Sequence, residues 1–334
     1  MMKPRTLLVF SGITLIIALV GTSTATGQSS TRGDNAEFQA AANSSSLDQR
    51  IAQKMALIRD GEKRGLEPLK LGRLWAHLAS DYLDAMELPK SEAAFNRALG
   101  LLEPLPGAQK DYAIVLNGLG SLYVMSGKFD ESERCRKRAL AMGETTGDKL
   151  EVARDKALLA EVYLARHKYK AAHREAIESY TEMVALENPN ISEVISALVS
   201  LIFAECFRGE CASALEHARQ ALVLTRSTFA ADSLEAGQAH LALGFAEWKT
   251  GTKDSPEDEM RAGIEIMKAR TSLRHPYTLS ALEQYRRYLV SVHRKQEARK
   301  IAQELAQFEA AHPPACSSCT MSVYGLQRPK RKRK

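Results

Sequence analysis

One pattern limits what this chain can fold into more than any other. A helical segment with a small or central residue recurs at Ala79, Gly120, Ala160, Ile202, Gly244 and Arg286. The segments are LWAHLASDY (74–82), LNGLGSLY (116–123), LLAEVY (158–163), LVSLIFAE (198–205), LALGFAE (241–247) and LEQYRRYL (282–289). Their spacings are 41, 40, 42, 42 and 42 residues. A unit copied at a fixed period of roughly 20–50 residues buries its apolar face mainly against its neighbours, so copies stack in a line. Six copies predict an all-α solenoid of antiparallel helix pairs. The sixth, with Arg286 at the central position, departs most from the others.

The second unit shows the internal logic. Leu116, Leu119, Gly120 and Tyr123 fall at i, i+3, i+4 and i+7, one face of a first helix. Gly120 is small enough to let a partner helix come close, and replacing it with Leu is expected to overpack the pair by about 1–3 kcal/mol. Gly127 ends that helix, because a left-handed terminal residue is cheapest as glycine. Ser132, Arg136 and Ala139 then continue a second helix after Lys128-Phe129-Asp130. Gly118 falls away from this packing face. The composition agrees with helices: 45% hydrophobic, 26% charged and only 6% aromatic.

These residues resemble the tetratricopeptide repeat, whose pattern is Trp, Leu-Gly and Tyr on one helix, then Gly, Tyr or Phe and Ala, Phe, Ala on the next. The first unit supplies Trp75, Leu78, Ala79, Tyr82, Phe95, Ala98 and Pro104; the second Leu119, Gly120, Tyr123, Gly127, Phe129 and Ala139. Later units keep Tyr163, Tyr169, Ala172 and Ala176; Gly209, Ala214, Ala218 and Ala221; Leu243, Gly244 and Gly251; and Ala298 and Ala302. The period is longer than the family's usual 34 and is similar to its 42-residue kinesin-light-chain-like subtype. Arg136 stands where the pattern has an aromatic, and DSPEDEM (254–260) interrupts the turn of the fifth unit. The resemblance implies a right-handed solenoid, a binding surface on the first helices and a protein or peptide partner.

The ends read differently. Met1–Arg5 is a positive start, TLLVFSGITLIIALV (6–20) is uncharged, and small residues follow with a cleavage site after Ala25. Residues 1–25 are therefore expected to be a signal peptide, or an N-terminal anchor if retained; a retained leader would tether the chain to a membrane. Residues 26–46 are a polar linker, 47–67 a cap helix, 68–312 the solenoid and 313–334 a basic tail with cysteines. The net charge of +6 comes from those ends. Removing Lys3, Arg5 and the six basic residues of RPKRKRK from 46 Lys and Arg leaves 38 against 40 acidic residues. A specific nucleic-acid-binding domain would carry its basic face within the fold, so none is expected.

The cysteines leave two readings open. Cys206 and Cys211 bracket a turn in ECFRGEC; they form either a disulfide, as suits an exported protein, or two small buried hydrophobes. The disulfide is the working expectation. Cys316 and Cys319 form a CxxC in the tail. A local disulfide there is the plain reading, since His312 alone stands near as a further zinc ligand and Thr320 breaks the haem signature. Cys135 is left over. The eight histidines scatter with no i, i+4 pair, and no HExxH, P-loop, GxSxG or dinucleotide fingerprint occurs.

Positions opposite the packing face should line the concave side. Among them Arg73, Asn117, Ser121, Arg154, Glu161, Phe203, Gln238, Phe245 and Arg287 are the candidate binding residues. Asn117 matches an asparagine that the long-repeat subtype uses on peptide backbones. The lining grows more apolar in the fourth and fifth units and lacks a Lys/Asn cluster for a C-terminal carboxylate. The expectation is a non-enzymatic, exported interaction scaffold with no cofactor and no metal. The alternatives are a membrane-tethered assembly module or a thiol/disulfide redox protein using the CxxC. The oligomeric state is not legible.

Overall fold

The computed structural model describes residues 46–252, 254–270 and 276–311. Residues 1–45, expected to hold a leader and a linker, and the tail with the CxxC lie outside the described residues. Thirteen helices make up what is described. A cap helix α1 (Leu47–Arg64) precedes six pairs: α2 (Pro68–Asp84) with α3 (Leu88–Leu102), α4 (Gln109–Met125) with α5 (Phe129–Thr146), and α6 (Lys149–Ala165) with α7 (Tyr169–Val184). The series continues with α8 (Ile191–Arg208) and α9 (Cys211–Thr228), α10 (Leu234–Thr250) and α11 (Pro256–Arg270), and α12 (Pro276–Ser291) and α13 (Lys295–Ala311).

Each helix packs on the next in sequence, and each first helix also touches the first helix of the following pair, from α2–α4 through to α10–α12. This is the contact order of a one-dimensional stack. The six first helices thus form one continuous layer of the stack.

The repeat is written into the way each first helix stops. Met86, Gly127, His167, Gly209, Gly251 and His293 all have left-handed backbone, with φ between 57° and 91°. Each sits seven residues past the small or central residue of its segment, at the same spacings. Beyond it the chain closes the same turn: Glu87 N–H donates to Tyr82 O at 2.8 Å, Lys128 to Tyr123 at 2.8 Å, Lys168 to Tyr163 at 2.8 Å and Arg294 to Leu289 at 2.9 Å. These bonds satisfy carbonyls that a helix end leaves open. The second helix then starts two residues after the left-handed one, at Leu88, Phe129, Tyr169, Cys211 and Lys295. In unit five it starts only at Pro256, and DSPEDEM holds the added turn.

Within a pair, the small position brings the helices together. Ser91 Oγ donates to Ala79 O at 2.8 Å, and Ser132 Oγ to Gly120 O at 2.8 Å, so a buried hydroxyl seals the closest approach. A Cβ on Gly120 would meet Arg136 Cγ at 2.9 Å. The close neighbour is therefore the stem of a buried arginine, which fills the aromatic's place at 2% exposure. Its Nη1 donates to Leu158 O of α6 at 2.6 Å and lies 3.7 Å from Glu161 Oε2. Gly118, which the sequence pattern set aside, also faces a neighbour: a Cβ there would fall 2.5 Å from Phe95 Cε1 and Cζ in the preceding unit.

The apolar core runs along the stack. One part joins Leu74, Leu78, Phe95, Leu116 and Leu119; another joins Leu198, Ile202, Phe245, Met260 and Leu289. Burying one such side chain stabilises by about 1.5–3 kcal/mol. No helix among the described residues is long and apolar enough to cross a membrane.

Candidate functional site

Charged and polar residues on the first helices are first used to hold the units side by side. Arg73 of α2 forks onto Asp111 of α4, Nε to Oδ1 at 2.6 Å and Nη2 to Oδ2 at 2.9 Å. Lys110 reaches Asp148 at 3.1 Å, and Asp148 also caps α6 by accepting Glu151 N–H at 3.2 Å. Asn117 Nδ2 donates to Asp155 Oδ1 at 2.5 Å. Arg154 bridges Glu151 at 2.5 Å and Glu193 of α8 at 2.6 Å, and Ser192 donates to Glu235 of α10 at 2.7 Å. Most of these rungs span 38 or 39 residues, close to one period. Three candidate binding residues, Arg73, Asn117 and Arg154, are thus engaged in the wall itself. Ser121 accepts from Arg136 Nη2 at 3.4 Å.

Asp155 is the unusual member. It is 1% exposed, and burial, opposed by the Asn117 hydrogen bond, pushes its carboxyl up to about 6. Asp155 Oδ2 and Asn117 Oδ1 are both buried without a partner among the described residues.

Farther along, the first helices open into a cleft of about 810 Å³, its open mouth included, built from α6, α8, α10 and α12. Its floor is apolar: Leu164, Val199, Phe203 and Leu241. Its walls carry Glu161, Gln238, Ser280, Gln284 and Arg287. Glu161, Phe203, Gln238 and Arg287 were expected on this surface from their spacing, and the fold brings them to one place. An apolar floor with a few polar groups is the usual lining of a ligand cleft.

Two expectations are corrected. Phe245 does not line the concave face. It is fully buried, with its ring centroid 4.8 Å from Phe203, 5.4 Å from Phe207 and 5.8 Å from Trp248. Its helix α10 is covered by α8, α11 and α12, so this position turns into the core beneath the cleft. Cys206 and Cys211 are not bonded; both are free, and Cys211 Sγ donates to Cys206 O at 3.4 Å. The turn aims the second sulfur at the backbone of the first. Burial raises the Cys206 thiol far above its ordinary value, as expected for a small apolar filler.

Several cleft residues were missed by spacing alone. Gln284 lies one turn from Ser280 and one position after Glu283, and the i, i+4 step from Ser280 would have found it. His167 and Tyr169 enter from the turn after α6, joined by a 2.7 Å hydrogen bond between His167 Nδ1 and the Tyr169 hydroxyl.

A family profile described as tetratricopeptide repeat matches residues 71–145. No curated protein matches the chain. Among solved structures, BtubC (BKLC) from P. vanneervenii is 18% identical, with 68% of this chain and 93% of that one covered at a TM-score of 0.56. The apo form of RapI is 12% identical, covering 83% and 94% at 0.66. A Rap protein complexed with Competence and Sporulation Factor is 12% identical, covering 84% and 91% at 0.56. At these identities the structures share a fold with this chain. Residues 71–145 thus match the tetratricopeptide repeat, and the described helices share the solenoid fold of these structures.

Proposed function

We propose that the chain is a non-enzymatic interaction scaffold that holds a peptide segment of a partner protein in the cleft of α6, α8, α10 and α12. The observation that carries this reading is the apolar floor at Leu164, Val199, Phe203 and Leu241, open to solvent and walled by hydrogen-bonding side chains. One structure of the same fold is a Rap protein complexed with Competence and Sporulation Factor, which supports a ligand-holding use of such a solenoid. The leader-like residues 1–25 support export, with the solenoid working outside the cytoplasm. Burial that raises the Cys206 thiol disfavours redox chemistry at the Cys206–Cys211 turn, because a thiolate is the reactive form; the CxxC of Cys316 and Cys319 lies outside the described residues.

A photocrosslinking amino acid at Val199 in the cleft, compared with one at Val223, tests this. Val223 is 68% exposed on α9, a second helix. The reading expects crosslinks from Val199 to one linear segment of a partner, with none from Val223. Equal capture at both positions, or none at Val199, refutes it.

A further inference from the structure

One group in the cleft lacks the partner it needs. Gln284 is 3% exposed and lines the cleft, and its Oε1 is buried without a hydrogen bond among the described residues. A buried carboxamide oxygen left unpaired is costly, and native chains rarely keep one without a use. The charged groups of the same walls are already engaged. Glu161 lies 3.7 Å from Arg136. Arg287 Nε donates at 2.9 Å to Glu283, which Arg286 also contacts. What the cleft offers a ligand is therefore an apolar floor and neutral hydrogen-bonding groups.

Resting on the peptide reading above, we infer that the cleft selects an uncharged, extended segment from within a partner chain. One apolar side chain lies on the Val199–Phe203–Leu241 floor, and one backbone N–H donates to Gln284 Oε1. A backbone amide is the neutral donor that every peptide carries. A lysine or arginine head in the same place would be a buried charge facing a neutral acceptor, and its desolvation would go uncompensated. A terminal carboxylate would bring a second acceptor towards Gln284 Oε1 and leave that atom unsatisfied. Gln238 gives the opposite wall another carboxamide, suited to the same kind of main chain.

The test uses the full chain against a phage library of random dodecapeptides. Selected peptides are synthesised with capped ends and measured by fluorescence anisotropy on the native chain, Leu241→Asp and Gln284→Leu. Each backbone N–H is also removed in turn by N-methylation. The expected peptides share an uncharged apolar residue. Leu241→Asp abolishes binding and Gln284→Leu raises Kd about tenfold. One N-methylation weakens binding to the native chain by a similar factor and adds little on Gln284→Leu. If Gln284→Leu does not fold, the N-methyl scan on the native chain decides alone: one sensitive position is required. Peptides that need Leu241 but ignore Gln284, or that are anchored by a charge or a free carboxylate, overturn this inference and leave the peptide reading standing. Failure to select any Leu241-dependent peptide overturns both.

Discussion

The same chemical change, glycine to alanine, should have opposite effects at two helical positions. At Gly244 of α10 an added Cβ would fall 2.7 Å from Pro256 O, 2.8 Å from Met260 N and 2.9 Å from Met260 Cγ. Two of these atoms are backbone of α11, so no side-chain rotation clears them. Ordinary contact begins near about 3.4 Å, and the helices must separate by several tenths of an ångström. Overpacking of this kind costs about 1–3 kcal/mol, against about 1 kcal/mol gained from alanine's helix propensity. Gly100 on α3 is exposed and has nothing within 4 Å of a new Cβ, so there the propensity gain stands alone. Gly244→Ala should lose up to about 2 kcal/mol and Gly100→Ala gain about 1 kcal/mol, a split of about 1–3 kcal/mol. Repeat arrays need not unfold in one step, so urea midpoints should be paired with hydrogen exchange in α10 and α11. A Gly244→Ala variant as stable as Gly100→Ala, or more so, would refute the close-approach argument.

Three further outcomes are expected. His293 is exposed and left-handed at φ 63°, so His293→Gly should stabilise by about 1 kcal/mol, while Gly127→Ala at φ 70° should cost a similar amount; thermal melts of both variants check this. The carboxyl of Asp155 is pushed up to about 6, so the folded chain binds its proton more tightly than the unfolded one. Its contribution to stability is present below about pH 4, is lost as pH rises through about 6, and does not return above. Asp155→Asn, which keeps the shape and cannot titrate, should therefore gain on the native chain by on the order of 2–3 kcal/mol between pH 4 and 7.5 in urea titrations. Arg136→Ala removes a fully buried side chain that holds Leu158 O across two units, and should cost about 3 kcal/mol or more in urea denaturation.

Much of this fold was legible because one geometric demand is repeated. The spacing of Ala79, Gly120, Ala160, Ile202, Gly244 and Arg286 reappears as the spacing of the six left-handed residues that end the first helices. Glycine marks only three of these ends; Met86, His167 and His293 carry no sequence signal for their backbone. Periodicity assigned faces well enough to place Glu161, Phe203, Gln238 and Arg287 in one cleft. It failed at Phe245, because a helical wheel does not say how many neighbours cover a helix. It also gave Arg73, Asn117 and Arg154 to a ligand when neighbouring units take them. An acidic residue 38 or 39 positions ahead of each, at Asp111, Asp155 and Glu193, was the available signal. Cys206 and Cys211 were misjudged because proximity across a turn does not fix where a sulfur points.

The cleft draws on α6, α8, α10 and α12, and so on four successive units. In a linear array each interface can open alone, and the chain can fray from either end. A segment lying across all four would have to leave before any of the three junctions beneath it could part. Occupancy would then splice neighbouring units into one longer cooperative block, and the bound molecule would act as a mechanical splint for the four units that it spans.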